Sequence, residues 1–273
     1  HLEDVLNVAP NVNFASGASR ARFFQIRGIG ERGQFAEPID PSVGVIVDDV
    51  DLSGAAGAAT LFDMQQVEVF RGPQSGRYGA NAHAGLIVMR SNAPTDELEA
   101  RLELEAGEFD SRRVGAVLSG PLAGPRLTGR IAVQANESDG YVDNVFLGRP
   151  TGDRDERLLR TRLRWLVSER VTADFAYTRV ETDNGYDGFS FESSRTMRSD
   201  QPGQDDQDAD LASLRVDYDG DGVDVEFIGA ASDSRIDYGY DEDWTFVGFH
   251  PFEYSSTDRY LRDRDTVSLE LRL

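Results

Sequence analysis

The sequence contains no cysteine. That excludes a disulfide framework and any thiolate site, and it fits an exported bacterial protein without requiring one. Histidine is nearly absent too. His1, His83 and His250 are scattered and form no metal-binding pattern. Positive charge is short: 28 Lys and Arg stand against 49 Asp and Glu, a formal charge of -21. Nucleic acid is thereby excluded as a partner, because phosphate binding needs a basic face. No apolar run approaches the roughly 18 residues of a transmembrane helix. A membrane barrel stays open, because its strands alternate and never give a long apolar run.

What is present points to turns and aromatic strands: 27 Gly, 15 Phe and 9 Tyr in 273 residues. The text changes character near Pro94. Before it, Leu2, Val5, Leu6 and Val8 or Ala9 recur at helical intervals and stop at Pro10. "RFFQIRGIG" and "PSVGVIVDDVDL" read as short strands, "AATLFDMQQVEVF" as a brief helix leading into a strand, and "GLIVMRS" as a last strand. This predicts a small α+β domain over residues 1–95.

After Pro94 the period becomes two. Leu98, Ala100, Leu102 and Leu104 alternate with Glu99, Arg101 and Glu103, and Leu163 and Trp165 with Arg162 and Arg164. Such alternation marks half-buried antiparallel strands. About eight are predicted, near 97–106, 111–120, 126–137, 157–168, 171–182, 209–219, 222–235 and 264–273. The tight joints "PLAGP", "SER" and "YDGDG" alternate with "GEFDS" and the longer 138–156, 184–208 and 236–263. A meander tight at one end and long at the other has the layout of an outer-membrane barrel. Arg160, Arg162 and Arg164 in one row cannot be the unpartnered core of a soluble sandwich. A wet lumen, or a plug lined with carboxylates, accommodates them.

Several motifs are set aside. "DYDGDG" begins like a calcium loop, but Ile228 stands where the closing Glu belongs, so a hairpin turn is expected. "GIGERG" lacks a βαβ context. Asp48 and Asp49 are expected at a strand exit, and Asp205, Asp206, Asp208 and Asp210 in a solvated loop. No nucleophile–base pair and no cofactor site is found, and an enzyme is not expected.

The ordered set "IRG" (Ile26–Gly28), "VDDV" (Val47–Val50), "VEVFRGPQSGRYG" (Val67–Gly79) and "GLIVMRS" (Gly85–Ser91) resembles the plug domain of TonB-dependent outer-membrane receptors. The resemblance implies a plug over 1–95, then the N-terminal part of a large transmembrane β-barrel over 96–273. "VDDV" departs from the family's usual glycine, and "AGLIVMRSN" from its last plug strand. Gly28, Gly72, Pro73, Gly79 and Gly85 are read as turn and close-approach positions. The resemblance implies that charged motif residues hold plug to barrel. That role is carried to Glu68 and Arg71, with Arg27 and Arg77 as further candidates.

The implied activity is uptake of a scarce ligand, a ferric siderophore or other iron complex first. Implied partners are outer-membrane lipid of a Gram-negative cell and a TonB-type energy-transducing protein, reached through a box expected before His1. Both ends of the chain are expected to be cuts. The alternatives are a non-transporting surface receptor and a soluble all-β glycan-binding or hydrolytic protein. Ligand contacts are expected on two plug turns. Glu31–Pro41 carries Arg32, Gln34, Phe35 and Glu37, while Asp51–Thr60 is expected to be small and mobile. Barrels of this class close with roughly 22 strands, so the sheet is expected to be open and wrapped partly around the plug.

Overall fold

A computed structural model describes residues 2–16, 18–33, 41–74, 82–252 and 254–273. The N-terminal part opens with α1 (Leu2–Leu6), which buries Leu2 and Leu6. A two-stranded antiparallel ribbon follows, β1 (Val12–Ala15) and β2 (Phe23–Ile26). The central sheet contains β3 (Val43–Val47), β4 (Val50–Asp51), β5 (Met64–Arg71) and β6 (Gly85–Ser91) in the order β4-β3-β6-β5. The continuous apolar runs of β3 and β6 are explained by their central place, with both faces covered. Val43, Val45, Ile87 and Met89 pack with Leu2, Leu6 and Ile26, while Leu86 and Val88 pack with Ile46 and Phe70.

Of the glycines expected at turns, residues 28, 72 and 85 are described, and Gly28 has φ 80°. Gly72 has φ 116°, and its N–H donates to the Ala84 carbonyl. A Cβ on Gly85 would stand 2.5 Å from the Phe70 carbonyl oxygen and from an Ile26 methyl. The close approach of β5 and of Ile26 leaves no room for a side chain there. Gly79 lies outside the described residues.

The turn in "VDDV" keeps the two-residue hairpin despite lacking glycine. Val47 pairs with Val50, leaving Asp48 and Asp49 at φ 45° and 70°. Asn-Gly is the usual solution for this mirror-image turn. Each left-handed non-glycine residue costs about 1–2 kcal/mol, so these carboxylates must be compensated elsewhere. The brief helix expected to open "AATLFDMQQVEVF" does not form: a single 3-10 turn, Ala56–Ala58, ends where that stretch begins, and β5 follows from Met64.

An eight-stranded antiparallel wall follows. Its strands are β7 (Glu99–Ala106), β8 (Arg112–Pro121) and β9 (Leu127–Ser138). The short β10 (Val142–Asn144) and β11 (Arg149–Thr151) precede β12 (Arg154–Leu166) and β13 (Val171–Tyr186). A short β14 (Thr196–Met197) precedes β15 (Gly203–Tyr218), β16 (Val225–Asp241) and β17 (Thr257–Arg272). The wall runs β17-β16-β15-β13-β12-β9-β8-β7 and is open, with β7 and β17 at its edges. It wraps the plug from one side, as expected, and is no sandwich. The "DYDGDG" stretch is the hairpin joining β15 to β16, with Gly220 N–H bonded to Asp224.

Alternation sorts the wall into two faces. Leu102, Leu104, Leu118, Ile131, Trp165, Phe175, Leu214, Phe227, Val267 and Leu269 stay exposed outside, while Thr128, Arg130, Glu156, Arg160, Thr178 and Ser213 are buried inside. No described helix is long and apolar enough to cross a membrane, which says nothing about crossing by strands.

The strands at the long-connector end exceed the expected bounds. β15 begins at Gly203, β16 reaches Asp241 and β17 begins at Thr257. The aspartates 205–210 are therefore strand residues, not a solvated loop. Both strand faces are polar there, so no apolar–polar alternation marked them. "GEFDS" is only the tight link 107–111.

The outer face above the apolar band carries carboxylates in register. Glu137, Asp155, Asp183, Asp206 and Asp237 are successive neighbours across β9, β12, β13, β15 and β16. Asp210, Asp233 and Asp265 form a second row. Like charges directly opposite are destabilising, and only part is offset by Arg157–Asp155, Arg179–Asp210 and Arg259–Asp237. The melting temperature of the protein in detergent is therefore expected to rise from low ionic strength to about 0.15 M salt. A melting temperature that is flat or falling with salt contradicts this reading of the rows.

Candidate functional site

The plug sits on the inner wall through ion pairs that reverse polarity along its height. At the short-turn end, wall arginines meet plug carboxylates. Arg130 Nε and Nη2 donate to Asp63 at 2.8 and 2.6 Å, and Arg101 approaches the same carboxylate at 3.5 Å. Arg162 donates to Asp48 at 3.3 Å, and Ser213 Oγ donates to the Asp48 carbonyl at 2.6 Å. Arg215 grips Asp49 with Nη2 and Nε at 2.6 and 3.2 Å. These contacts, with the Ser91 N–H and Oγ donors to Asp48 at 2.9 and 2.7 Å, compensate the strained hairpin.

Toward the other end the signs exchange. Plug Arg20 donates to wall Glu156 at 2.9 Å and to the Gly57 carbonyl at 2.7 Å. Plug Arg22 pairs with wall Asp205, which also accepts from Ser19 N–H and Oγ at 2.7 and 2.5 Å. Asn136 and Asn184 complete the shell of Glu156. The chain has no lysine, so all its Lys/Arg-type charge is arginine. Its fixed fork suits such bidentate buried pairs better than the point charge of lysine.

The expected Arg160–Arg162–Arg164 row is resolved pair by pair. Arg160, 2% exposed, donates to the Phe62 carbonyl and lies 3.4 Å from Thr60 Oγ1. Arg162 reaches Asp48. Arg164 turns instead to its wall neighbour Asp174 at 2.8 and 3.1 Å.

Above the ion pairs the inner wall becomes aromatic. Tyr186, Tyr238, Tyr240 and Tyr260 face inward on β13, β16 and β17. Tyr238 lies 5.5 Å from Tyr186, 5.8 Å from Tyr240 and 6.0 Å from Tyr260, centroid to centroid. The Arg22 guanidinium stands over the Tyr238 ring at 5.2 Å. Phe189 continues the path, 5.3 Å from Tyr240 and stacked on Trp244 at 5.1 Å. The connectors beyond are tied together. Asp187, buried, accepts from Asn144, Thr151 and Ser199 at 2.9, 2.8 and 2.7 Å, and Phe146 stacks on Phe246 at 4.5 Å. A cavity of about 380 Å³ opens beside Arg22, between plug residues Glu31, Pro41 and Gly54 and wall residues Ile236 and Arg264.

The residues singled out in the sequence fall as follows. Glu31 and Pro41, the two ends of the first expected ligand turn, line that cavity. Glu31 accepts from Ser42 Oγ at 2.7 Å, which pins the base of the turn. Arg32 is exposed beside it. Gln34, Phe35, Glu37 and Arg77 lie outside the described residues. Arg27 is exposed at φ 55°, and its N–H donates to Asn11 within the plug. Glu68 is half-buried on β5, and Arg71 lies 3.5 Å from the Pro10 carbonyl. β5 is the sheet edge opposite β4, so among the described contacts neither meets the wall.

The second expected turn needs correction. Residues 52, 53 and 55–60 are buried and do not form an open turn. Their smallness is what permits this: a Cβ on Gly57 would lie 2.6 Å from Gln207 Oε1, while Gln207 donates to the Ala55 carbonyl at 2.9 Å. Sequence reasoning also missed Arg20, Arg22, Asp63 and the tyrosines. The period-two "SRAR" and "YGY" stretches carry a signal for Arg20, Arg22, Tyr238 and Tyr240; nothing local marks Asp63. Among the described residues, no trio of His, Cys, Asp or Glu is placed to hold a metal ion.

Residues 1–86 match the family model of the TonB-dependent Receptor Plug Domain. The chain is 30% identical over 142 residues to the pesticin receptor of Yersinia enterocolitica, covering 52% of this chain and 21% of that protein. It is 26% identical over 214 residues to the ferric enterobactin receptor PirA of Pseudomonas aeruginosa, covering 68% and 29%. Among solved structures, the ferric yersiniabactin uptake receptor FyuA of Yersinia pestis superposes with a TM-score of 0.72 at 24% identity, over 85% of this chain and 38% of that one. The pyoverdine receptor FpvA of Pseudomonas aeruginosa gives 0.74 at 15% identity, over 99% and 40%. At these identities the structural likeness speaks for the fold. The chain spans less than a third of the length of these two curated relatives.

Proposed function

We propose that this chain, which belongs to the TonB-dependent receptors and holds their plug with part of the barrel wall, serves uptake of a ferric siderophore or similar iron complex. The receptor sits in the outer membrane of a Gram-negative bacterium, its long connectors outward and its outer apolar band in lipid. We set the division at 1–95 for the plug and 96–273 for the wall. A TonB-type protein supplies energy through a segment on the N-terminal side of the plug.

One observation carries this reading. A plug seated by opposed ion pairs lies beneath an aromatic, tyrosine-rich inner wall, with the cation of Arg22 between them. That combination suits a planar, oxygen-rich chelate, which takes its fit from ring faces. Relatives named for ferric enterobactin and ferrioxamine B support the iron cargo. Arg32, Gln34, Phe35 and Glu37 complete the plug side of this site. Arg27, Glu68, Arg71 and Arg77 hold the plug against barrel strands that this chain does not include.

The test is equilibrium binding of a panel of ferric siderophores to the full-length receptor, with and without Arg32→Ala plus Phe35→Ala. At least one ferric complex is expected to bind, and the double variant to lower its affinity about tenfold while the protein still inserts and folds. Absence of binding to every ferric complex rejects the iron reading. Unchanged affinity in the variant moves the site to the wall and connectors.

A further inference from the structure

We propose that the long connectors hold a cleft for an organic cation, an ammonium or quaternary ammonium group, between aromatic rings and the carboxylates of Glu242 and Asp243. The proposal goes beyond the iron-cargo reading and stands whether the cation is a free molecule or the arm of a ferric chelate.

The cleft forms where the connector after β16 meets the connector after β13, and its volume is about 380 Å³. Phe191, Trp244, Phe249, Phe252 and Tyr254 line it, together with the acids Glu242 and Asp243. Several of the rings are braced. Phe189 stacks on Trp244 at 5.1 Å, and Phe246 meets Phe249 edge-on at 5.5 Å while stacking on Phe146. Trp244 takes φ 62°, and its N–H donates to the buried Asp241 at 3.3 Å. A bulky residue stays left-handed only where its surroundings enforce it. The mouth is open: Phe252 is 93% exposed and Tyr254 65%. Scattered exposed rings are ordinary, but a cluster of them marks a binding surface.

Charge decides what this surface takes. The connector after β16, residues 242–256, contains no arginine. On the connector after β13, Arg195 stands over Phe109 and Arg198 pairs with Glu192. Asp243 accepts from Thr245 N–H and Oγ1 at 3.1 and 2.9 Å and from Ser256 N–H at 2.9 Å, and Glu242 accepts from Ser256 Oγ. These donors are neutral, so both carboxylates keep their charge beside the rings. The face of an aromatic ring is itself the negative end of its quadrupole. Rings and unneutralised carboxylates together attract a cation and repel an anion. A sugar would find no amide or guanidinium donor in the lining. A bare metal ion would find too few ligands, since no described trio of His, Cys, Asp or Glu is placed to hold one. An organic cation needs only ring faces and a nearby negative charge.

The test is calorimetric titration of the full-length receptor, in non-ionic detergent, with choline. His250 also lines the cleft, so the titration is run at pH 8, where an imidazole is uncharged. The control is the uncharged isostere of choline, with a tert-butyl group in place of trimethylammonium. Choline is expected to bind saturably, about tenfold or more tighter than the isostere, and to weaken with salt. Phe252→Ala with Tyr254→Ala is expected to weaken choline about tenfold. Both side chains stand in solvent, so the variant keeps its fold. Glu242→Gln is expected to weaken choline about threefold and to flatten the salt dependence. Absence of saturable choline binding overturns the proposal. So does equal affinity for the isostere, or choline binding that survives the double ring variant. Binding of maltose without choline overturns it too, and makes the cleft a glycan platform. A ferric chelator with a free amine, compared with its N-acetylated form, separates the sources. Tighter binding of the free amine assigns the cleft to the chelate, while equal binding beside choline binding assigns it to a free cation. Choline bound by a receptor that binds no ferric complex supports the cleft and rejects only the iron reading.

Discussion

Full-length receptor carrying Arg130→Ala is expected to lose about 3–5 kcal/mol of plug seating, the usual cost of leaving one partner of a buried pair uncompensated. Asp63 has 1% of its side chain exposed and takes two hydrogen bonds from Arg130. Without them it keeps only Asn92 at 2.9 Å and the half-exposed Arg101 at 3.5 Å. The double variant Asp63→Leu with Arg130→Met is expected to be much less damaging than the sum of its parts, because no orphaned charge remains. Denaturant titration followed by protease cleavage of the released plug measures both. A loss below about 1 kcal/mol for Arg130→Ala, the scale of an exposed pair, contradicts the buried-pair account.

The Asp48–Asp49 hairpin is expected to govern how tightly the plug closes the wall. Asp48→Ala with Asp49→Ala removes the charge-assisted bonds to Arg162 and Arg215, each worth about 1.5–3 kcal/mol. Ion leakage through the full-length receptor in a planar bilayer is expected to rise by about tenfold or more. Asp49→Gly separates strain from charge. It relieves the left-handed φ of 70° but loses the same carboxylate. Its leak is expected to lie between wild type and the alanine pair. An Asp49→Gly receptor as tight as wild type places the seal in turn geometry and refutes the ionic one.

Much of the architecture was legible because it is written at short range. The period of two in β7, β12 and β17 and the turns "PLAGP", "SER" and "YDGDG" predict the eight-stranded open meander. Gly72 takes a left-handed φ, and Gly85 sits where β5 and Ile26 leave no room for a Cβ. The partners of the charges were not legible, because nothing local selects them. Asp63 meets Arg130 across 67 residues, and Asp49 meets Arg215 across 166. Glu68 and Arg71 sit in the recognisable motif and were chosen for that, while Arg20 and Arg22 hold the described wall. The strand ends escaped because Asp205 and Gln207 turn inward to serve the plug, which breaks the apolar alternation. The 51–60 segment was misread because small residues signal mobility and close packing equally well; only the wall beside Gly57 decides between them.

The central claim is that this plug and wall belong to an energised importer of ferric chelates. Its most direct test is uptake of radioactive iron, presented as the ferric siderophore that binds best, by cells whose only such receptor is the full-length protein. Accumulation is predicted to saturate and to vanish when the TonB-type transducer is deleted, while surface binding persists. Accumulation that continues without the transducer, or binding that never leads to accumulation in its presence, contradicts the account.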